Sequence, residues 1–438
     1  MDEGTVHGAS PRRIRAAVWV GVALVAFQTY HLSAQRGGMF LGSPDDPAIA
    51  YSAAPLDNAV ARVNNKLQDG AVQLTFEGRS GYLQSALNAL DIPVDSQMLV
   101  FSQTSFQAKR ISETNPRALF FNDRVALGWV RDGEIIEVAA QDAREGVVFY
   151  ALDQRPSERP AFRRMYSCLA CHMTGDTLGV PGLLMFSTAA SPDSGGSATS
   201  VMTDHRMLLA ERWGGWYVTG NSGSARHRGN GAATLRGATR ELPSVDGLFD
   251  ADGYRSMSSD IAALLVLSHQ THMTNLLTRV GWEARAADPA LHPPFFAAPG
   301  EESRIARMMS GIATEVVDYL LFVDEAPLTD RIRGSSGFAQ RFATTGPRDS
   351  RGRSLHELDL SRRLMRYPCS YLIYSDAFDA LPPGAKDPIY MRMWEVLSGA
   401  ERGARYQSAL SLTDRQAIVE ILRDTKKDLP AYFQRVER

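Results

Sequence analysis

From residue 70 to residue 155 the apolar positions come in short runs. "SQMLVFSQTSFQ", "RALFFND", "VALGWVRDG", "EIIEVAAQD" and "GVVFYALDQ" are rich in β-branched and aromatic residues and are separated by turn formers. Asp132-Gly133 between two of them is a hairpin signal. This pattern predicts a small antiparallel sheet, entered from a helix over "YLQSALNALDI".

The period changes further along. In "SSDIAALLVLSHQTHMTNLLTRVGWEARAA", counting from Ile261, Leu264, Leu265, Ser268, His269, His272, Met273 and Leu276 recur at helical spacing. One long amphipathic helix is predicted, with Ser258 or Ser259 as N-cap and Asp260 in its first turn. After residue 300, "ESRIARMMSGIATEVVDYLLFVDEA", "MRMWEVLSG" and "TDRQAIVEILRDT" read as helices, the last capped by Thr413. "AASPDSGGSATS" and "TGNSGSARHRGNGAATLRG" read as loops around a Trp-rich segment. The expected fold class is α+β: a small antiparallel β region before a mainly helical middle region and a helical C-terminal half. The regions fall at 1–34, 35–155, 156–290 and 291–438.

Composition adds a location. Arg12, Arg13 and Arg15 precede an apolar run from Ala16 to Phe27, about a dozen residues, short for a membrane span and suited to a signal peptide. Cleavage is expected near Ala34, with an uncleaved membrane anchor as the alternative. Export places the chain in the periplasm or cell envelope. Loss of residues 1–34 removes three Arg and two acidic residues, taking the formal charge from −2 to −3. That charge gives no reason to expect a nucleic-acid partner. A membrane partner is expected only if the N-terminal segment stays attached.

Chemistry concentrates in "YSCLACHMTG", where Cys168, Cys171 and His172 stand as C-x-x-C-H. The chain has only 3 cysteines. Cys369 is far away in an apolar, Tyr-rich context, where a buried unpaired thiol is expected. A structural zinc site needs four ligands, and no second C-x-x-C exists. A redox disulfide or a metal clip are the alternatives to covalent attachment of one haem c, which this spacing specifically indicates. In the haem reading, Cys168 and Cys171 are the thioether residues and His172 is the proximal axial ligand. Pro181, in "TLGVPGLLM", is the candidate to orient His172 through its carbonyl.

For the opposite side of the iron, the long helix offers Met273 or His269, with His272 beside them. Weaker candidates are Met185, Met202, His205 and His227; Met173 is too close to His172 in sequence. Arg206 or Arg212 are candidates to neutralise haem propionates, and Asp204, His205 and His227 have residue types suited to a second metal site.

The chain resembles a family of large exported bacterial cytochrome c domain-containing proteins with a single C-x-x-C-H. The likeness rests on "NPRALFFNDRVALGWV", "VVFYALDQ", "CLACH", "RWGGWYVTG", "HQTHMTNLLTR" and "GRSLHELDLSRRLMRYPCSYLIYSDAFDALP" and covers most of the chain after residue 70. It implies haem c on Cys168, Cys171 and His172, with electron transfer as the default activity. This chain departs from it at Thr271 and His272, which makes His272 a weaker ligand candidate than His269 or Met273. An envelope electron carrier with an unidentified redox partner protein is therefore the first expectation. A haem enzyme or sensor acting on peroxide or oxygen is the second, since the chain is long for one porphyrin. A binding protein with structural haem is the third. A dihaem peroxidase is excluded by the single motif.

Overall fold

Five of the apolar runs pair in sequence order, and a sixth, very short strand joins them. The computed structural model describes residues 38–190, 198–231, 242–288, 290–291 and 300–434. The stretch read as an export signal lies outside them. The strands β1 (Met98–Val100), β2 (Arg117–Phe121), β3 (Val125–Trp129), β4 (Ile135–Asp142), β5 (Gly146–Asp153) and β6 (Arg163–Arg164) form one antiparallel sheet in the order β1-β2-β3-β4-β5-β6. Asp132, with φ of 58°, turns the chain between β3 and β4 as the Asp-Gly signal predicts. β4 alternates strictly between half-buried and buried positions, the mark of a strand with two unlike faces.

One face is the smaller core. Ala118, Phe120, Leu127, Trp129, Ile136, Val138, Val148 and Leu152 pack there with Val60 and Val63 of α1 (Ala59–Gln68) and Leu83, Ala86 and Leu87 of α2 (Leu83–Ala89). The second face carries Arg117, Leu119, Ala126, Gly128, Glu137, Ala139, Phe149 and Ala151. β5 is buried along its length apart from Asp153.

After the sheet come α3 (Leu169–His172) and a two-stranded hairpin, β7 (Phe186–Ala190) with β8 (Ala198–Met202). The hairpin strands lie in sequence read as loop. The long predicted helix follows as α4 (Ile261–Ala286). It is not an amphipathic surface helix: every residue except His272, Gly281, Glu283 and Ala286 is buried. Its N-cap is Asp260, expected in the first turn, and not Ser258 or Ser259. Asp260 Oδ1 accepts from the amides of Ala262 and Ala263, and Oδ2 accepts from those of Ser335 and Ser336. Ser259 instead serves the sheet, accepting from the Leu99 amide and donating to the Tyr217 carbonyl.

The larger core is built around α4 by α5 (Glu301–Leu320), α6 (Phe338–Thr345), α7 (Asp376–Asp379) and α8 (Pro383–Ser398), with α9 (Ala404–Ala409) and α10 (Leu412–Thr425) outside them. α10 begins at a capping box of Ser411 and Asp414, two residues before the Thr413 expected from sequence. Residues Phe40–Arg438 form one compact unit. The α+β expectation holds: a small antiparallel sheet is followed by a helical C-terminal half. Among the described residues, no helix is long and apolar enough to cross a membrane.

Candidate functional site

The C-x-x-C-H motif lies at the edge of the sheet. The Met165 amide donates to the Phe149 carbonyl at 2.8 Å, ending the β6 pairing and setting the position of the next turn. A 3-10 turn over Tyr166–Cys168 then runs into α3, with Leu169 and Met173 packed on the smaller core. In this helical backbone Cys168 and Cys171, three apart, share one side. Cys168 is half-buried, Cys171 exposed, and both thiols are free. Burial, and then the Glu137 carboxylate, push the Cys168 thiol above its usual pKa.

His172 is fixed from one side only. Its Nδ1 donates to the Gly182 carbonyl at 3.0 Å, and the Gly182 amide donates back to the His172 carbonyl at 2.9 Å. The Phe149 ring lies against the imidazole, centroid to centroid 4.7 Å. Because the partner of Nδ1 is a carbonyl, Nδ1 holds the proton of the neutral ring and Nε2 presents a lone pair. Among the described residues Nε2 has no hydrogen-bond partner, the ring's one hydrogen bond being that of Nδ1. Burial, opposed by the Gly182 carbonyl, lowers the imidazole's pKa and keeps it neutral. A neutral imidazole anchored at Nδ1 and bare at Nε2 is the state a metal ligand requires. The orienting carbonyl is thus that of Gly182, one residue beyond Pro181, whose own carbonyl accepts from the Val147 amide.

Gly182 is in turn held by α4. The Asn275 side chain accepts from the Leu183 amide at 2.8 Å and donates to its carbonyl at 2.9 Å. A Cβ on Gly182 would stand 2.4 Å from Asn275 Oδ1, so only glycine permits this approach.

These contacts place α4 on the Nδ1 side of His172, and the side chains that the helix offered as distal ligands are engaged elsewhere. Met273 is wholly buried in the larger core. His269 has both ring nitrogens engaged: Nδ1 meets His205 Nδ1 at 2.8 Å and Nε2 meets Ser370 Oγ at 2.7 Å. Its ring is stacked on Tyr319 and Phe322. His272 Nε2 lies 3.3 Å from Arg206. Burial depresses His269 to about 3 and, with Arg206 adding to it, His272 to about 4. None of the three has a hydrogen bond or ring contact with the motif.

The arginines and the second metal set also go elsewhere. Arg206 forms a forked pair with Asp204. Burial opposes ionisation of Asp204, but Arg206 outweighs it and holds the carboxyl well below the usual range. Arg212 is buried and donates to the carbonyls of His205 and Met207. His227 accepts from the Gly229 amide and lies against Trp213. Asp204, His205 and His227 therefore do not converge, and among the described residues no group of three or more His, Cys, Asp or Glu is arranged to hold a metal ion. Cys369 is a buried free thiol, as expected, and burial raises its pKa strongly.

What sequence reasoning missed is on the sheet. Arg117 and Glu137 form an ion pair, each about one-fifth exposed, and Ser105 Oγ donates to Glu137. Both charges act on Cys168 and on His172. Only the sheet register brings them there. Comparison with protein-family models, with characterised proteins and with solved structures gives no match.

Proposed function

We propose that this protein is an exported monohaem c-type cytochrome that transfers electrons in the cell envelope. Haem c would be held by thioethers from Cys168 and Cys171 and by His172 Nε2, and when bound it would supply one-electron redox chemistry. The observation that carries this reading is the state of His172: proton on Nδ1, Nδ1 committed to Gly182, and a bare Nε2 beside two free thiols of one helical turn. A reactive disulfide pair would not call for an imidazole fixed in this tautomer. The chain's own contribution is to orient the ligand, through Gly182 and Asn275, and to keep it neutral by burial. In this reading the segment around α3 is the cytochrome c-like part, residues 1–34 direct export, and a redox partner protein docks at the exposed Cys171 side.

One observation favours a second reading, a haem enzyme or sensor for peroxide or oxygen. The side chains the long helix offered as a second ligand are all engaged in other contacts, so a haem held by His172 would be open to an exogenous small molecule.

The test is expression in cells competent for cytochrome maturation, followed by denaturation and extraction with acidified acetone. Colour that stays with the polypeptide, and is lost in Cys168→Ala and Cys171→Ala, supports covalent haem. A colourless wild-type chain refutes it. Carbon monoxide then separates the two readings: a reduced spectrum that ignores it supports a relay, and rapid binding supports the enzyme or sensor.

A further inference from the structure

The second face of the sheet is unlike an ordinary core face or an ordinary solvent face. Two cross-strand rows define it. One is Phe149, Ala139, Ala126 and Phe121; the other is Ala151, Glu137, Gly128 and Leu119. The bulky ends are buried: Phe149 under His172, and Phe121 against Phe338. Between them Ala126 and Ala139 are half-buried, although they lie on inner strands, and Ala126, like Leu119 of the second row, also packs against the larger core. With strands about 4.8 Å apart, the row from Phe149 to Phe121 spans about 14 Å, enough for a porphyrin. Its middle is lined by side chains no larger than a methyl group.

A charge pair is built into the margin of this floor. The Arg117 guanidinium lies directly over Gly128, where a Cβ would come within 2.4 Å of it. From there it reaches Glu137 on the next strand. Glu137 is two residues from Ala139, the cross-strand partner of Phe149. Arg117 Nε is buried without a hydrogen-bond partner. An ion pair held this tightly on a sheet face, beside an apolar floor and beside His172, has a larger electrostatic reach than a solvated one.

We infer that this face is where the porphyrin packs, and that the Arg117–Glu137 pair at its margin sets the reduction potential of the attached haem. The inference rests on the covalent-haem reading above. It assigns a seat on the β-sheet, and a tuning pair from β2 and β4, to a group whose attachment motif is separate in sequence. The pair acts through charge and does not touch the metal. A positive charge near the iron disfavours its oxidised form and a negative charge favours it. Removing either member must therefore move the potential in opposite directions.

The experiment uses the mature holoprotein purified from cells competent in cytochrome maturation. Potentiometric titration of Arg117→Gln is expected to give a lower midpoint potential and of Glu137→Gln a higher one. Each should change the oxidation equilibrium about tenfold, equivalent to 59 mV for a one-electron couple. The double variant should return close to wild type. Independently, Ala139→Trp, at a half-buried position in the middle of the floor, should reduce the fraction of chains carrying covalent haem, measured per polypeptide. Circular dichroism of the same samples checks that the chain is folded. A wild-type chain without covalent haem would overturn the functional reading and this inference together. Wild type with haem, but with shifts of the same sign or none in the charge variants, or with full haem occupancy in a folded Ala139→Trp, would overturn this inference alone.

Discussion

Asn275 should be the residue through which the central helix controls the imidazole of His172. Its side chain is wholly buried and makes two hydrogen bonds to one backbone unit, accepting from the Leu183 amide and donating to the Leu183 carbonyl. Asn275→Ala removes both and leaves the half-buried Leu183 amide and carbonyl without their partner. Each such loss costs about 1–3 kcal/mol, so the expected destabilisation is about 2–4 kcal/mol. The measurement is urea unfolding, read from the midpoint at constant slope. Gly182→Ala approaches the same contact from the other side, because its Cβ would meet Asn275 Oδ1 at 2.4 Å. Overpacking of that kind costs about 1–3 kcal/mol. The two changes must be coupled: once Asn275 is shortened to alanine, the added methyl group has room, and Gly182→Ala should cost clearly less in that background. The Gly182 carbonyl that anchors His172 Nδ1 moves with this segment, so both variants should also alter the ligand-field spectrum of any attached haem. A loss below about 0.5 kcal/mol for Asn275→Ala, or strictly additive costs in the double variant, would refute the argument that this clamp is tight.

Two further outcomes follow from the central helix. Asp260→Ala removes the cap of α4 and orphans the amides of Ser335 and Ser336, so it should destabilise by about 3–5 kcal/mol in urea unfolding, with Asp260→Asn intermediate. The buried histidines should make the fold acid-sensitive: His269 and His272 are depressed to about 3 and about 4, so the stability they contribute is complete above about pH 6.5 and is lost as pH falls from there toward those values. Glu325, raised to about 7 by burial, works in the opposite sense. The histidine contribution is therefore read as the difference between wild type and His269→Gln, and an equal change from pH 7 to pH 5 in both would contradict it.

Legibility from sequence followed the range of the interactions. The five main strands were readable because alternation and the Asp132-Gly133 turn are local. The hairpin strands Phe186–Ala190 and Ala198–Met202 were not, because their small residues carry little strand preference and a Gly/Ser-rich segment joins them. α4 was found but its surroundings were misread. Thr271 and Thr278 look like part of a polar face and Ser268 interrupts the apolar stripe, yet each hydroxyl donates to a carbonyl four residues earlier in the same helix. Side chains satisfied in this way can be buried all round, which a period count cannot reveal. The C-x-x-C-H motif was legible from spacing alone. Arg117, Glu137 and Asn275 were not, because each reaches it only through sheet register or helix packing.

The buried hydrogen bonds account for the histidines at the centre of α4. His205 Nε2 is buried without a partner. A bare lone pair in that position costs less than a bare N–H, since orphaned buried donors are the rarer case. That assigns the proton of His205 to Nδ1, which donates to His269 Nδ1, and leaves His269 Nε2–H to donate to Ser370 Oγ. The chain His205–His269–Ser370 is thereby directional, with every member neutral. It ties three segments remote in sequence into one core: the loop after β8, the middle of α4, and the turn before α7. Tyr319 of α5 joins by donating to the His269 carbonyl, and Tyr371 by donating to Gln270. A directional network permits one arrangement of these segments where an apolar core would tolerate several. The same helix carries Asn275 less than two turns further on, against the segment that anchors His172. Fixing the rotation of α4 about its axis at His269 therefore also fixes where Asn275 meets Leu183, and through Gly182 where His172 Nε2 points. The histidines that resembled ligands instead position the helix that stands behind His172.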